Sequence, residues 1–106
     1  MKKVYILQPT SDVSEEEIHR IRKVAIKEIE SYVKKNCNED VVIANSPDSN
    51  IPTEVKYPEF YRMVHILYDI CDSDYLFLAG DWKNDSDCLA IKQAALNEGI
   101  IIINED

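Results

Sequence analysis

Glycine is scarce in this chain, with two residues in 106, and proline is limited to four. So little of either excludes a linker-rich, collagen-like or low-complexity polypeptide. It also excludes a glycine-rich phosphate cradle, because the turn after the first apolar run, Gln8-Pro9-Thr10-Ser11, contains no glycine. Cysteine is sparse as well. Cys37, Cys71 and Cys88 are scattered, odd in number and without C-x-x-C spacing, which fits reduced thiols in a cytoplasmic protein rather than a disulfide framework. No apolar stretch approaches the roughly 20 residues that span a bilayer, and Val4-Tyr5-Ile6-Leu7 behind Met1-Lys2-Lys3 is too short for a signal-peptide core. Positive charge is in deficit: 12 Lys and Arg face 20 Asp and Glu, for a net charge of −8. Such a chain repels phosphate backbones and anionic bilayers, so neither a nucleic-acid polymer nor a membrane is an expected partner. A small ligand remains compatible with that charge, because a few local donors override the global field.

The remaining composition, 45% hydrophobic and 30% charged, is ordinary for one globular domain of this length. Val4-Tyr5-Ile6-Leu7 reads as a short apolar strand that Pro9 terminates, since proline has no donor for the ladder. Ser14-Glu15-Glu16-Glu17 has the form of a capping box. The helix it opens carries Ile18, Ile21, Ala25, Ile29, Tyr32 and Val33 at spacings of three and four, with acids in its first turn and Lys34-Lys35 in its last. Its expected end is Asn36 to Asn38. Val41-Val42-Ile43-Ala44 is a second strand. A long polar loop over residues 45–57 follows, of a kind that is often functional. Pro58 suits a first helical position, and Phe60, Met63 or Val64, Leu67 and Ile70 or Cys71 continue a helical stripe. Tyr75 to Ala79 is a third strand, Ser86 to Glu98 a third helix stopped by Gly99, and Ile100 to Ile103 a fourth strand.

The order is βαβαβαβ, and each strand is a continuous apolar run rather than an alternating one. Strands of that kind are covered on both faces, which predicts a parallel sheet in a three-layer α/β domain. Right-handed crossovers make 2-1-3-4 the simplest strand order, a truncated flavodoxin-like sheet. Winding then reverses between strands one and three. Ligands of open α/β sheets bind outside the carboxyl ends of the strands at such a reversal. The expected site therefore lies between the loops of residues 8–12 and 80–86. Its candidate contacts are Gln8, Thr10, Asp81, Trp82, Asn84, Asp85 and Ser86: carboxylates and amides for hydroxyl groups or base edges, and an indole for stacking. The alternative for the second loop is a solvated turn in which Asp85 or Ser86 caps the third helix.

Other chemistry-bearing residues point elsewhere. Asp72 and Asp74 precede the third strand, at the end opposite the crevice, and read as cap and turn residues. His19 and His65 sit on different helices without a ligand-spaced carboxylate or cysteine, so no metal is expected. Nor does any motif call for a cofactor. Cys88 stands at a helix start, but Asp85 and Asp87 oppose thiolate formation. Tyr5 reads as core. Tyr57 and Tyr61 are better placed for a partner or ligand.

Two tracts resemble the nucleoside 2-deoxyribosyltransferase-like superfamily, in particular its small members. A family tract of the form Y-I-S-G-P corresponds to Tyr5-Ile6-Leu7-Gln8-Pro9. A second, D-x-x-x-x-L-P-G-W-x-x-S-x-G-x-x-x-E, corresponds to the segment from Asp74 through Gly80, Trp82 and Ser86 to Ile91. The resemblance spans nearly the whole chain and implies a nucleoside deoxyribosyltransferase-like fold, a nucleoside- or nucleotide-like ligand, and assembly as a homodimer or higher homo-oligomer. Aromatic residues on the second helix would suit such assembly. The family nucleophile is a helix glutamate that attacks the anomeric carbon. Ile91 stands in its place here, Asp87 at the small-residue position before it, and Gln8 at the strand-one glycine. The resemblance thus implies a ligand-binding domain without the family transfer chemistry. Two alternatives remain: a deoxyribosyltransferase or N-glycosidase that uses Asp85 or Asp87 as its carboxylate, and a protein-interaction module with a vestigial cleft.

Overall fold

A computed structural model of the chain describes residues 1–36, 38–44 and 54–104. In chain order the elements are β1 (Lys2–Leu7), α1 (Glu15–Asn36), β2 (Val41–Ile43), α2 (Pro58–Cys71), β3 (Tyr75–Leu78), a 3-10 turn (Trp82–Asn84), α3 (Ser86–Glu98) and β4 (Ile101–Ile102). The four strands form one sheet in the order β2-β1-β3-β4, and every pairing is parallel. This is the expected three-layer, flavodoxin-like α/β arrangement. The long loop expected over residues 45–57 lies, for residues 45–53, outside the described residues, as does Cys37.

Alternation along β1 and β3 divides the core in two. Tyr5, Leu7, Leu76 and Leu78 face α2 and α3, where Ile70, Trp82, Cys88, Ile91 and Ala95 complete the cluster. Val4, Ile6, Phe77 and Ala79 face α1, against Ala25, Ile29 and Val33. Continuous apolar strands are thus explained by helices on both sides. Coverage fails only at the edges. One helix packs on the α1 face and two on the other, so Ile101 of β4 is 55% exposed. The expectation of strands buried on both faces holds for β1 and β3 but not for the edge strands β2, where Val42 is 37% exposed, and β4.

Local chemistry sets the element ends. Ser14 Oγ accepts from the Glu17 amide at 3.2 Å. The reciprocal half of the expected capping box is missing, because the Glu17 carboxylate is held by Arg20, three residues on. Asn38 adopts φ +52 and its amide donates to the Val33 carbonyl at 3.0 Å, so α1 ends where the asparagines predict. Gly99, at φ +79, closes α3: its amide donates to Leu96 and that of Ile100 to Ala95. This is a Schellman closure. It uses the Ile100 amide, which is why β4 begins one residue later than its apolar run. The fourth strand is also shorter than expected at its other end. There the Asn104 carboxamide takes over as a surrogate peptide, accepting from Leu78 N at 2.8 Å and donating to Leu78 O at 2.6 Å. Asp72 and Asp74 lie at the amino end of the sheet. Asp74 accepts from the Lys3 amide at 2.8 Å and Asp72 from Lys3 Nζ at 2.6 Å, tying the α2–β3 turn to β1.

Candidate functional site

β1 and β3 are neighbours in register Leu7↔Leu78, so the loops that leave them start side by side. The Ala79 amide donates to the Leu7 carbonyl at 2.8 Å, one step beyond the strand ends. Gly80 then turns the chain at φ +66. A Cβ there would stand 3.5 Å from Pro9 Cδ and 3.2 Å from Ile21 Cδ1. A side chain would be strained in that conformation and crowded besides. The two loops therefore meet at the reversal point of the sheet, the place the strand order selects for a ligand.

The β1–α1 loop carries unusual costs. Asp12 adopts φ +61, a left-handed conformation that aspartate tolerates better than most residues. Gln8 donates from Nε2 to the Ile18 carbonyl at 3.2 Å, but its Oε1 is buried without a partner. The Thr10 hydroxyl is likewise buried and unpartnered. Leaving a buried polar atom unpaired costs about 1–3 kcal/mol. Two such atoms and one left-handed residue fall within five residues of loop. Costs of this kind concentrate where a loop serves something other than stability.

The β3–α3 loop is arranged differently. Asp85 is the N-cap of α3, its Oδ1 accepting from the Cys88 amide at 3.0 Å. Asn84 Nδ2 donates to Asp81 Oδ1 at 2.7 Å, so these two exposed side chains satisfy each other. Ser86 and Asp87 are exposed on the first turn of α3. Trp82 is only 7% exposed and belongs to the core cluster with Leu7, Leu78 and Ile91. Lys92 Nζ lies 4.8 Å and Lys83 Nζ 5.5 Å from its ring centroid. The indole thus forms a wall of the domain roofed by cations and offers little open face for stacking. Ile91, where the resemblance sets a nucleophilic glutamate, is 2% exposed in the same core.

Two helical arginines that sequence reasoning passed over are drawn partly or wholly into the domain. Arg22 is buried on α1, and Arg62 is half-buried in the second turn of α2. Burial pushes the Tyr5 phenol up to about 12, with Asp69 adding to the rise and Arg22 and Arg62 opposing it. Burial likewise raises the Cys88 thiol to about 12, reinforced by Asp85 and Asp87 and opposed by Arg62. Cys88 is therefore a neutral thiol at physiological pH and a poor nucleophile. Charged residues at helical positions give no sequence signal for burial, which is why the arginines escaped notice.

On the α1 face of the sheet, a hollow of about 200 Å³ lies between α1 and the end of β3, lined by Arg20, Ile21, Glu28, Phe77, Gly80 and Asn104 among others. Ligand pockets usually exceed roughly 300 Å³, and none of the expected contact residues lines this one. Among the described residues, no cluster of three or more His, Cys, Asp or Glu is placed to hold a metal ion, and no helix is long and apolar enough to cross a membrane. His65 Nε2 lies 2.8 Å from the Tyr61 hydroxyl, one helical turn away. No family model, curated protein or solved structure matches this chain.

Proposed function

We propose that this chain is a small-molecule-binding domain whose crevice, between the loops after β1 and β3, takes a sugar-containing ligand of nucleoside or nucleotide type. The observation that carries the reading is the pair of buried, unpartnered atoms Gln8 Oε1 and Thr10 Oγ1 at the reversal point of the sheet. One is an acceptor and the other can both donate and accept, which is the complement of a ligand hydroxyl pair. Both atoms are shut off from bulk solvent, and a ligand that shifts the loop's own packing satisfies them, recovering the cost of both. Recognition on this reading rests on hydrogen bonds from the β1 loop, with Asp81 and Asn84 at the rim, and not on stacking against Trp82.

The resemblance to nucleoside deoxyribosyltransferase-like proteins supports the ligand class. Ile91 argues against the transfer chemistry, since a buried isoleucine supplies no carboxylate to attack carbon. Asp85 is engaged as a helix cap. The test is a thermal-shift screen of the full chain against nucleosides, nucleotides and ADP-ribose-like compounds. Ligand at 100 Kd stabilises by about 2.7 kcal/mol, and Gln8→Ala or Thr10→Val removes most of that shift. A broad panel without any shift refutes the binding reading. Base release from deoxynucleosides that disappears in Asp87→Asn replaces it with an N-glycosidase.

A second reading, of an interaction surface, is favoured by α2. Tyr57, just before it, and Phe60, Val64 and Tyr68 within it form one outward stripe, and Phe60 and Tyr68 are each 72% exposed. The stripe carries no charged residue in a chain of net charge −8, so a second copy meets no like charge along it. Phe60 and Tyr68 stand at equal distances either side of Val64, the arrangement an isologous two-fold contact through antiparallel α2 helices requires. Sedimentation should show a dimer that Val64→Glu converts to monomer. A monomer at high micromolar concentration in the wild type refutes it.

A further inference from the structure

The hollow on the α1 face begins where the crevice ends. α1 leaves the carboxyl end of β1 and returns to the amino end of the parallel β2, so it runs against the strands. Ile21 therefore stands near the end of β3, and Glu28, seven residues on, about two turns farther back. Two contacts join hollow and crevice. Ile21 and Gly80 both line the hollow, and a Cβ on Gly80 would stand 3.5 Å from Pro9, the residue between Gln8 and Thr10. The Gln8 carboxamide is fixed to the Ile18 carbonyl, one helical turn before Ile21. The loop that holds the two unpaired atoms thus abuts the β3 end of the hollow. The walls are apolar, with Ile21 and Val24 of α1 across from Phe77 and Ala79 of β3. Val24 is 49% exposed, whereas Phe77 and Ala79 are buried. The rim is polar. Asn104 presents a carboxamide locked by its two hydrogen bonds to Leu78, and each of its groups keeps capacity for a second bond. Arg20 is held by Glu17, but Glu28, among the described residues, has no hydrogen bond or ion pair. The volume is small for a whole ligand, yet an apolar cavity of about 150 Å³ takes benzene.

We propose that the hollow is a subsite for one flat nitrogen heterocycle of pyrimidine size, whose amino edge donates to Glu28 and whose ring acceptor takes the spare N–H of Asn104. This rests on the crevice reading above and deepens it. The ring that finds no open indole face at Trp82 lies between α1 and β3, and the sugar hydroxyls stay with Gln8 and Thr10. Apolar walls with a few fixed polar groups are the usual make-up of a small-molecule site. A rim carboxylate is acceptor-only, so it favours an amino edge over a carbonyl edge of the same shape.

Amide chemical shifts of the full chain, followed during titration with cytosine, uracil, phenol and cytidine, test this. Cytosine should move the amides of Ile21, Val24, Phe77 and Ala79 and bind about tenfold more tightly than uracil, the effect of one hydrogen bond to a charged group at an exposed rim. Glu28→Gln should erase that preference, because a carboxamide both donates and accepts. Val24→Trp fills the hollow from an exposed helix position and should abolish ring binding with the fold intact, whereas Val24→Ala should keep it. Cytidine should move the hollow amides together with those of Gln8 and Thr10. Phenol that binds as tightly as cytosine, in wild type and Glu28→Gln alike, overturns the heterocycle assignment. Ring binding that survives Val24→Trp overturns the site. So does a wild-type dimer that Val24→Trp disrupts, which marks the hollow as a contact between copies. Nucleosides or nucleotides that move only the Gln8 and Thr10 amides overturn the hollow and leave the crevice reading intact. Cytosine in the hollow with Gln8 and Thr10 unmoved by cytidine sustains the subsite and overturns the crevice. If no compound moves either set, both fail.

Discussion

Gly80→Ala probes the junction on which the crevice depends. Gly80 and Gly99 share a left-handed backbone, φ +66 and φ +79, but differ in surroundings. At Gly99 an added methyl meets nothing within 4 Å; at Gly80 it meets Ile21 Cδ1 at 3.2 Å and Pro9 Cδ at 3.5 Å. The backbone penalty for alanine in that region is about 1–2 kcal/mol at either site. Both substitutions regain the same part of it by restricting the unfolded chain, roughly 0.4–1 kcal/mol. The difference between them therefore isolates the contact with the β1 loop and α1. The Ile21 methyl is the end of a flexible side chain and can give a few tenths of an ångström, so the added crowding falls at the low end of overpacking, about 1 kcal/mol. For a domain near this size that is about 4–8 °C in Tm beyond the effect of Gly99→Ala. Urea denaturation of the two variants beside wild type measures it, with m-values checked for constancy. If Gly80→Ala costs no more than Gly99→Ala, the two loops do not touch and the shared crevice has no basis. If both are neutral, the left-handed assignments are wrong.

Three further outcomes follow from named contacts. Asn104→Ala removes both carboxamide bonds to Leu78 and exposes the end of β3, costing about 1–3 kcal/mol; faster hydrogen exchange at the Leu78 amide is the direct readout. Ile91→Glu, which restores the carboxylate of the resembling family, buries a charge in the core beside Trp82 and Leu78 and should unfold the chain or lower its Tm sharply, not create base-release activity. Cys88 holds its proton to about pH 12 in the folded chain, whereas the thiol of the unfolded chain loses it near 8.5. The unfolded state then binds fewer protons, so the contribution of Cys88 to stability is complete below pH 8 and declines as pH rises toward 12. Cys88→Ala should flatten the stability curve over that window in denaturant titrations. Tyr5, also raised to about 12, accounts for part of the decline that remains above pH 10.

The elements were legible because local rules and burial agreed. Ser14, Pro58, Asp85 and Gly99 mark helix ends by backbone chemistry that needs no tertiary partner, and all four stand at or next to the ends of their helices. β1 and β3 read correctly because both of their faces are covered. β4 read too long because the Schellman closure of α3, not visible as hydrophobicity, takes its first rung, and at its other end only the Ile103 amide still reaches β3, at Leu76 O, before the Asn104 carboxamide takes Leu78. The meeting of the loops after β1 and β3 was legible; the packing of the side chains they carry was not. Asp85 was weighed both as ligand contact and as cap, and its hydrogen bond to Cys88 shows it capping. Trp82 carried the stacking role on its place in the loop after β3; an indole is as readily a core residue as a platform, and only packing distinguishes them.

Hydrophobic runs and cap residues in the sequence suffice to dictate four parallel strands, three helices and the end of the sheet at which two loops meet, because these depend on periodicity, chain connectivity and the handedness of crossovers. Which groups those loops present depends on three-dimensional packing. The burial of Trp82 and Ile91 and the unpaired atoms of Gln8 and Thr10 arise from contacts between residues far apart in the chain. Whether a polar group finds a partner there is settled by geometry, to which composition and spacing are blind.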